Sequence, residues 1–277
     1  MSCIDYKYQK LLKHILEDGV YSDDRTNVGT KSIFGYMLHY DMGNGFPLLT
    51  IKNVYFKAVA HELLWFISGS TNIKYLKKND IKIWDEWADQ EGNLGPVYGK
   101  QWRDNNGVDQ LQYCIDQLKV NPTNRRLLVD SWRPELLPDP NIPPKDNVIL
   151  GKQALPPCHY SFQFNSDGEY LDLMWNQRSV DSFLGLPFNI ASYALLLEMV
   201  AQITGLKSRK LIGSLGNVHI YNNHREQVNE VLSREPINNI CNIELNKDIT
   251  NIDSFSFDDI KLLNYKHLGT VSAPIAV

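Results

Sequence analysis

One stretch of this chain is apolar on almost every side. It extends from Pro187 to Gly205, with the proline early and the glycine just past the end. Proline is favoured in the first turn of a helix and glycine immediately after the last turn. A helix that lacks a polar face has to be enclosed by other parts of the protein. The sequence therefore predicts a long, buried helix at the centre of the fold.

Three further stretches carry apolar residues at helical spacing, the pattern of an amphipathic helix. The first ends before Gly19 and the second ends near Gly69. The apolar positions are Leu11, Leu12, Ile15 and Leu16 in the first, Val59, Leu63, Leu64 and Ile67 in the second, and Val108, Leu111, Ile115 and Leu118 in the third.

Two adjacent stretches alternate between apolar and polar residues, as half-buried strands do. A turn sequence at 166–168 separates them. Their apolar positions are Tyr160, Phe162 and Phe164, then Leu171, Leu173 and Trp175. Helices mixed with antiparallel strands indicate an α+β fold in one domain.

Composition and charge exclude several classes of protein. The net charge is −4 and the isoelectric point is near 6.0, which argues against a surface built to coat nucleic acid, although Arg125-Arg126 is a local basic cluster. The four cysteines form no CxxC pair and have no metal-ligand spacing, so neither a disulfide framework nor a metal site is predicted. With no apolar signal core and no stretch predicted to span a bilayer, we expect a cytoplasmic protein.

Three short motifs together offer the groups needed to hold and attack a nucleotide. Residues 155–159 supply a thiol on a turn stiffened by two prolines, 177–179 an Arg-Ser pair suited to phosphate, and 187–189 an amide that can contact a base edge. A lone cysteine is more often a small buried hydrophobe, so the combination carries the prediction. Glu62 also stands out, because a carboxylate among apolar helix residues is costly unless it is paired or functional.

Taken in order, these motifs resemble the thymidylate synthase family. The resemblance extends from Asp24-Arg25-Thr26 to Ala276-Val277, nearly the whole chain. The matching stretches are 46–50, 61–66, 83–87, 94–99, 125–126, 184–193 and 219–221. It implies one catalytic domain over 1–277, with a large mixed β-sheet flanked by helices. Residues 134–153, rich in proline, aspartate and asparagine, are predicted to be a surface insertion of variable length.

The resemblance implies a nucleotide site for dUMP. Cys158 would attack the uracil ring. Asn189 would recognise the base and Arg178 would hold the phosphate, and both would also be catalytic residues. The remaining dUMP contacts implied are Arg25, Ser179, His159, Gln177, Asp181, His219 and Tyr221, with Arg125 and Arg126 donated by the second subunit of a homodimer. From the residues alone, Arg125-Arg126 would be interpreted as a solvated strand end, and His219 and Tyr221 as a pair of core residues. Asn189 would be interpreted as a helix N-cap.

A folate site is implied beside it for 5,10-methylenetetrahydrofolate, the carbon and hydride donor. Glu62 would anchor a water network, and Tyr98 would assist removal of the C5 proton. The C-terminal segment 273–277, called the tail below, would close over both ligands. The alternative is that it is a frayed chain end. From the residues alone, Trp84 and Trp87 would be interpreted as core aromatic residues. The folate contacts implied are Lys52, Ile83, Trp84, Trp87, Leu155, Asp181, Gly185, Phe188, Ala276 and Val277.

The predicted reaction is reductive methylation of dUMP to dTMP, through a covalent bond between Cys158 and C6. One alternative is a folate-dependent pyrimidine deoxynucleotide hydroxymethylase, although Asn189 argues against a cytosine substrate. A second is a messenger-RNA-binding regulator, as at most a weak secondary activity. One departure is Gly216-Asn217, where many relatives have Gly-Asp. Asn217 thus replaces a carboxylate expected to support His219.

Overall fold

A six-stranded sheet and a long buried helix organise the structure, a computed structural model that describes residues 4–23 and 28–275. The helices are α1 (Ile4–Asp18), α2 (Phe56–Ile67), α3 (Lys74–Lys78), α4 (Tyr98–Arg103), α5 (Gln110–Val120), α6 (Pro144–Ile149), α7 (Gly185–Thr204) and α8 (Arg225–Ser233). The strands are β1 (Val20–Ser22), β2 (Thr30–Asp41), β3 (Leu128–Asp130), β4 (His159–Ser166), β5 (Tyr170–Asp181), β6 (Lys207–Tyr221), β7 (Asn242–Leu245) and β8 (Ile260–Leu263).

The large sheet is mixed, in the order β1-β2-β6-β5-β4-β3. Its neighbouring strands are antiparallel except β5 and β6, which are parallel. A parallel pair needs a crossover connection, and α7 supplies it. The strands β7 and β8 form a separate hairpin. These features confirm the predicted α+β fold with a mixed sheet in a single domain.

The predicted central helix is α7. Pro187 lies in its first turn, and Gly205 ends it in the left-handed conformation, with φ of 73°. By length and composition, α7 is the one described helix able to cross a membrane. However, 78% of its apolar 18-residue stretch is buried inside the protein. It is therefore a core helix, enclosed as its lack of a polar face requires.

The other predicted elements form close to their expected places. The helices α1, α2 and α5 lie on the three amphipathic stretches, and β4 and β5 lie on the two alternating ones. The third stretch was wrong at its first position, because α5 begins at Gln110 after the N-cap Asp109, and Val108 lies before the helix with 55% of its surface exposed. The alternation fails at the start of β4, where a bulge between His159 and Ser161 shifts the register and leaves Tyr160 half-buried. Residues 134–153 contain α6, and the buried amide of Asn147 bonds to the backbone of Asp139. Their variable length stays a prediction.

Candidate active site

Cys158 lies on a turn that is held in place from β5. The guanidinium of Arg178 donates from Nε to the carbonyl of Pro157 at 2.9 Å and from Nη2 to the carbonyl of Pro156 at 3.0 Å. The backbone N–H of Arg178 also donates to the Cys158 carbonyl at 2.9 Å. The indole of Trp132 lies 5.4 Å from this guanidinium. The thiol is thus mounted on a backbone with little freedom to move.

Accessibility separates the three described cysteines. Cys158 is partly exposed, whereas Cys114 and Cys241 are buried. Burial raises the pKa of both the Cys114 and Cys241 thiols to about 12, so neither supplies a thiolate at neutral pH. Cys3 lies outside the described residues.

Aromatic side chains pack directly beside the Cys158 turn. The Tyr98 hydroxyl accepts a hydrogen bond from the Cys158 backbone N–H at 2.9 Å, and its ring stacks on His159 at 4.4 Å. The Nδ1 atom of His159 lies 2.8 Å from the Tyr193 hydroxyl. Burial lowers the pKa of His159 to about 3, so it stays neutral and is a poor base for Cys158. Burial raises the pKa of Tyr98 well above 10, so the phenol keeps its proton.

Glu62 is a buried carboxyl group on α2. The indole N–H of Trp84 donates to its Oε1 at 2.8 Å. Burial raises the pKa of Glu62 to about 7, and the Trp84 bond opposes part of that rise. A carboxyl group with this pKa can release and accept protons near neutral pH, as an acid–base group requires. Trp84 in turn packs against Trp87 at 5.8 Å and Tyr98 at 5.9 Å, so the predicted folate pocket and the Cys158 turn share a wall.

The amide of Asn189 has a fixed polarity. The indole N–H of Trp175 donates to Gln177 Oε1 at 3.1 Å, and Gln177 Nε2 donates to Asn189 Oδ1 at 3.0 Å. Because an indole can only donate, this chain of bonds decides which end of each amide is oxygen. The Asn189 amide nitrogen then donates no hydrogen bond within the described residues.

The alternative that Asn189 caps a helix is wrong. The helix α7 begins at Gly185, so Asn189 is its fifth residue, and the N-cap position is Leu184. The carboxylate of Asp181 instead accepts from the backbone N–H groups of Phe183 and Leu184 at 2.9 and 3.0 Å. The sequence pattern placed the helix start a few residues late because Pro187 fits any position in a first turn.

The predicted sugar site lies at the end of β6. His219 and Tyr221 have ring centroids 5.1 Å apart. The Nδ1 atom of His219 lies 2.9 Å from Asn217 Oδ1. The amide oxygen at position 217 therefore still supports the imidazole, with no charge on the supporting group. Asp181 pairs with His219 across the parallel strands, which brings the predicted folate and sugar contacts together.

The predicted folate contacts divide by exposure. Trp84 is buried, while Trp87, Leu155, Gly185 and Phe188 are half-buried and Ile83 is 36% exposed. Lys52 is 5% exposed, and its ammonium donates to the Phe183 carbonyl at 2.7 Å. Burial lowers the pKa of Lys52 to about 8, with Asp181 opposing that shift. Its contact with a glutamate tail stays a prediction, for which the ammonium has two further N–H donors beside this bond.

Several predicted residues are not brought to this pocket by the described contacts. Arg125 and Arg126 are exposed just before β3, an edge strand, and their guanidinium groups make no hydrogen bond or ion pair within the described part of the chain. Arg25, Ala276 and Val277 lie outside the described residues.

Two positioning groups are not evident from the residue pattern. Tyr193 lies within a matching stretch with no role predicted for it, yet its hydroxyl holds His159. Trp175 has the pattern of an apolar strand residue, yet its indole fixes the amide of Gln177 two positions later. Same-face spacing of i and i+2 on a strand was the available signal for the second pair.

Comparison with known proteins agrees with the resemblance. Residues 6–277 match the family model described as Thymidylate synthase. A protein of Francisella tularensis subsp. holarctica (strain OSU18), named thymidylate synthase, is 50% identical over 273 residues, which cover 98% of this chain and 99% of the relative. A protein of the same name from Francisella philomiragia subsp. philomiragia is similar to the same extent.

Proposed function

The chain belongs to the thymidylate synthase family, and we propose that the pocket around Cys158 is where its reaction takes place. The enzyme methylates dUMP to dTMP and uses 5,10-methylenetetrahydrofolate as cosubstrate. The observation that carries the assignment is the contrast between the partly exposed Cys158, on its braced turn, and the buried Cys114 and Cys241.

Cys158 acts as the nucleophile. Its thiolate attacks C6 of the uracil ring, and C5 then has the electron density to capture the one-carbon unit. Arg178 and Ser179 hold the 5′-phosphate together with Arg25. Two of the Arg178 hydrogen bonds brace the turn, and Nη1 makes none within the described residues. One guanidinium can therefore fix both the nucleophile and the phosphate.

Proton transfer depends on Glu62 and Tyr98. Once the new carbon–carbon bond has formed, the C5 proton leaves and the one-carbon unit separates from the folate nitrogen. With a pKa near 7, Glu62 exchanges protons through bound water, and the protonated Tyr98 orients that water. Hydride transfer from the resulting tetrahydrofolate completes the methyl group, the Cys158 thiolate leaves C6, and dihydrofolate is released.

Asn189 selects uracil. Its amide nitrogen donates to O4, and its amide oxygen keeps a lone pair for N3–H beside the Gln177 bond. Cytosine presents a donor and an acceptor in the opposite order, so it would meet like groups at both positions. His219 and Tyr221 hold the 3′-hydroxyl of the sugar. Trp84, Trp87 and Asp181 hold the pterin of the folate.

The enzyme is further proposed to be a homodimer in which Arg125 and Arg126 reach the phosphate of the second subunit. Two large side chains on β2 support this, since Phe34 is 88% exposed and Met37 is 48% exposed. Apolar side chains of this size and exposure indicate a surface that another protein covers. A nucleophilic thiol has to stay reduced, which also favours the cytoplasm, a reducing compartment. No observation favours RNA binding, and it is not proposed.

Trapping the covalent intermediate tests this proposal. Fluorine at C5 cannot leave as a proton does, so 5-fluoro-dUMP with methylenetetrahydrofolate should arrest the enzyme as a covalent complex. Peptide mass spectrometry should locate the nucleotide on Cys158. An adduct on Cys3, Cys114 or Cys241 would refute the assignment. With dUMP itself, the product mass should be that of dTMP rather than that of a hydroxymethyl nucleotide.

A further inference from the structure

His224 is a buried histidine for which the reaction above has no role. It ends a single 3₁₀ turn, Asn222–His224, that directly follows β6, and it is fully buried. Its Nε2 lies 2.7 Å from the carbonyl oxygen of Pro274, in the C-terminal segment. A carbonyl only accepts hydrogen bonds, so Nε2 carries the proton and donates it.

The C-terminal segment has few other attachments. Its upstream end is tied to the segment around Lys52, since Leu268 N–H donates to the Thr50 carbonyl and Asn53 N–H donates to the Gly269 carbonyl, each at 2.8 Å. Beyond Gly269, the bond from His224 is the one hydrogen bond to residues 270–275 within the described part of the chain. Val271 is buried, whereas Ile275 is 60% exposed. His224 is therefore the polar anchor of a segment otherwise held by packing.

The imidazole of His224 also contacts both ligand-binding regions. Its ring centroid lies 5.4 Å from that of Tyr221, in the proposed sugar site, and 5.6 Å from that of Phe183. The backbone N–H of Phe183 donates to Asp181, the proposed pterin contact. The other ring nitrogen, Nδ1, is buried and has no partner among the described residues. Packing and the Pro274 bond together therefore hold the ring in place.

We propose that His224 is a positioning residue that anchors residues 271–275 beside the folate site by donating from Nε2 to the Pro274 carbonyl. Through Tyr221 and Phe183 it ties the tail to the two elements that hold the nucleotide and the folate. A tail already anchored loses less conformational entropy when the site closes. This inference rests on the proposed function, because the tail matters to turnover only if it closes over this site.

Substitutions at His224 separate the anchor from a purely structural role. His224→Leu removes the donor at similar volume, and kcat/KM for methylenetetrahydrofolate should fall about tenfold, the effect of one net hydrogen bond at the upper end of its range. The Kd for dUMP without folate should stay within about twofold, because the tail closes only after both ligands bind. In His224→Gln the amide nitrogen can reach the same carbonyl, so activity should return to within about threefold of the wild type.

Tyr75→Phe is the matched control. It removes a hydrogen bond to another buried histidine, His61, without touching the tail, and should leave folate kinetics unchanged. If His224→Leu does not fold, His224→Gln is compared with His224→Asn, whose shorter amide cannot reach Pro274. Equal losses in the Gln and Asn variants would overturn the proposal, and so would wild-type kinetics in a folded Leu variant.

A double-mutant cycle with a truncated chain closes the test. Removing 274–277 takes away the acceptor, so His224→Leu should have no further effect in the shortened enzyme. A further tenfold loss in the shortened enzyme would show that His224 acts by another route. That result would refute the proposed anchoring of the tail by His224. Full turnover of the shortened enzyme without any His224 substitution would instead refute the closing role of the tail that the family resemblance implies.

Discussion

The Cys158 pocket and the Arg125-Arg126 pair are built in opposite ways. The pocket takes side chains from α2, α4, β4, β5 and α7, and its polar groups are mostly buried and hydrogen-bonded. The two arginines precede a three-residue edge strand and are exposed. Bond making needs fixed geometry and altered proton affinities, which burial provides. Charge recognition of a phosphate, the role proposed for the two arginines, needs neither, so it could take place at a surface that the proposed second subunit would complete.

The strongest test of this contrast is the nucleophile itself. Cys158→Ser should lower kcat by about ten thousandfold, because a hydroxyl is a far weaker nucleophile near neutral pH. The Kd for dUMP should change little, since the phosphate and base contacts remain. Steady-state kinetics and calorimetry would check the two parts. Cys241→Ser is the control, and its turnover should stay close to the wild type. Comparable losses in both variants would remove the distinction between the cysteines.

Glu62→Gln should produce the next largest effect, a loss in kcat of about a hundredfold, the lower part of the range for an acid–base group. The wild-type pH profile should show a group near pH 7 that the variant lacks. Dihydrofolate formation followed by absorbance from pH 5 to pH 9 would measure both. An unchanged profile in the variant would assign that titration to another group.

The same substitution should stabilise the protein in a pH-dependent way. Folding raises the pKa of Glu62 from 4.5 to about 7, so between these values the folded state binds more protons than the unfolded state. Stability therefore falls as pH rises through this window. Glutamine cannot ionise, so Glu62→Gln should have the higher melting temperature at about pH 8, and this advantage should vanish at about pH 4. Less stable variant protein at about pH 8 would contradict the burial argument.

A smaller effect is expected at the base-reading amide. Asn189→Asp replaces the donor toward O4 with a carboxyl oxygen that accepts from the amino group of cytosine. Each mismatched buried polar group costs roughly 1–3 kcal/mol, so the ratio of kcat/KM for dCMP over dUMP should rise at least tenfold. Competition between the two nucleotides would measure it. An unchanged ratio would mean that other groups select the base.

The smallest expected signal tests the exposed region. Cys158→Ser and Arg126→Glu enzymes are each impaired, but a mixed dimer has one site with both native residues. With equal mixing, half of the dimers are hybrids with one of two sites intact, so about a quarter of wild-type activity should return. The measurement is turnover after subunit exchange, with exchange proven by mass. Absence of rescue despite proven exchange would place Arg126 in its own subunit's site or in none.

Residue patterns predicted most of the helices and strands named above, because the burial of apolar residues at regular spacing depends on local sequence. The apolar stretch that became α7 could only be enclosed, and Glu62 was conspicuous because its neighbours are apolar. Apolar spacing did not predict two backbone details. The bulge between His159 and Ser161 moved Tyr160 out of its expected alternation, and α7 begins at Gly185, directly after a turn in which Asp181 accepts from the N–H groups of Phe183 and Leu184.

Residue order was enough to predict the fold class and the family and to single out the turn that carries Cys158, because apolar periodicity and motif order are properties of the chain. Long-range packing was needed to show which of the three described thiols are buried and to show that Trp175 orients the Asn189 amide through Gln177. The bonds from Cys158 to Tyr98 and from His224 to Pro274 join residues far apart in sequence. Burial and hydrogen-bond direction arise from such long-range packing, and they set the pKa values on which the chemistry depends.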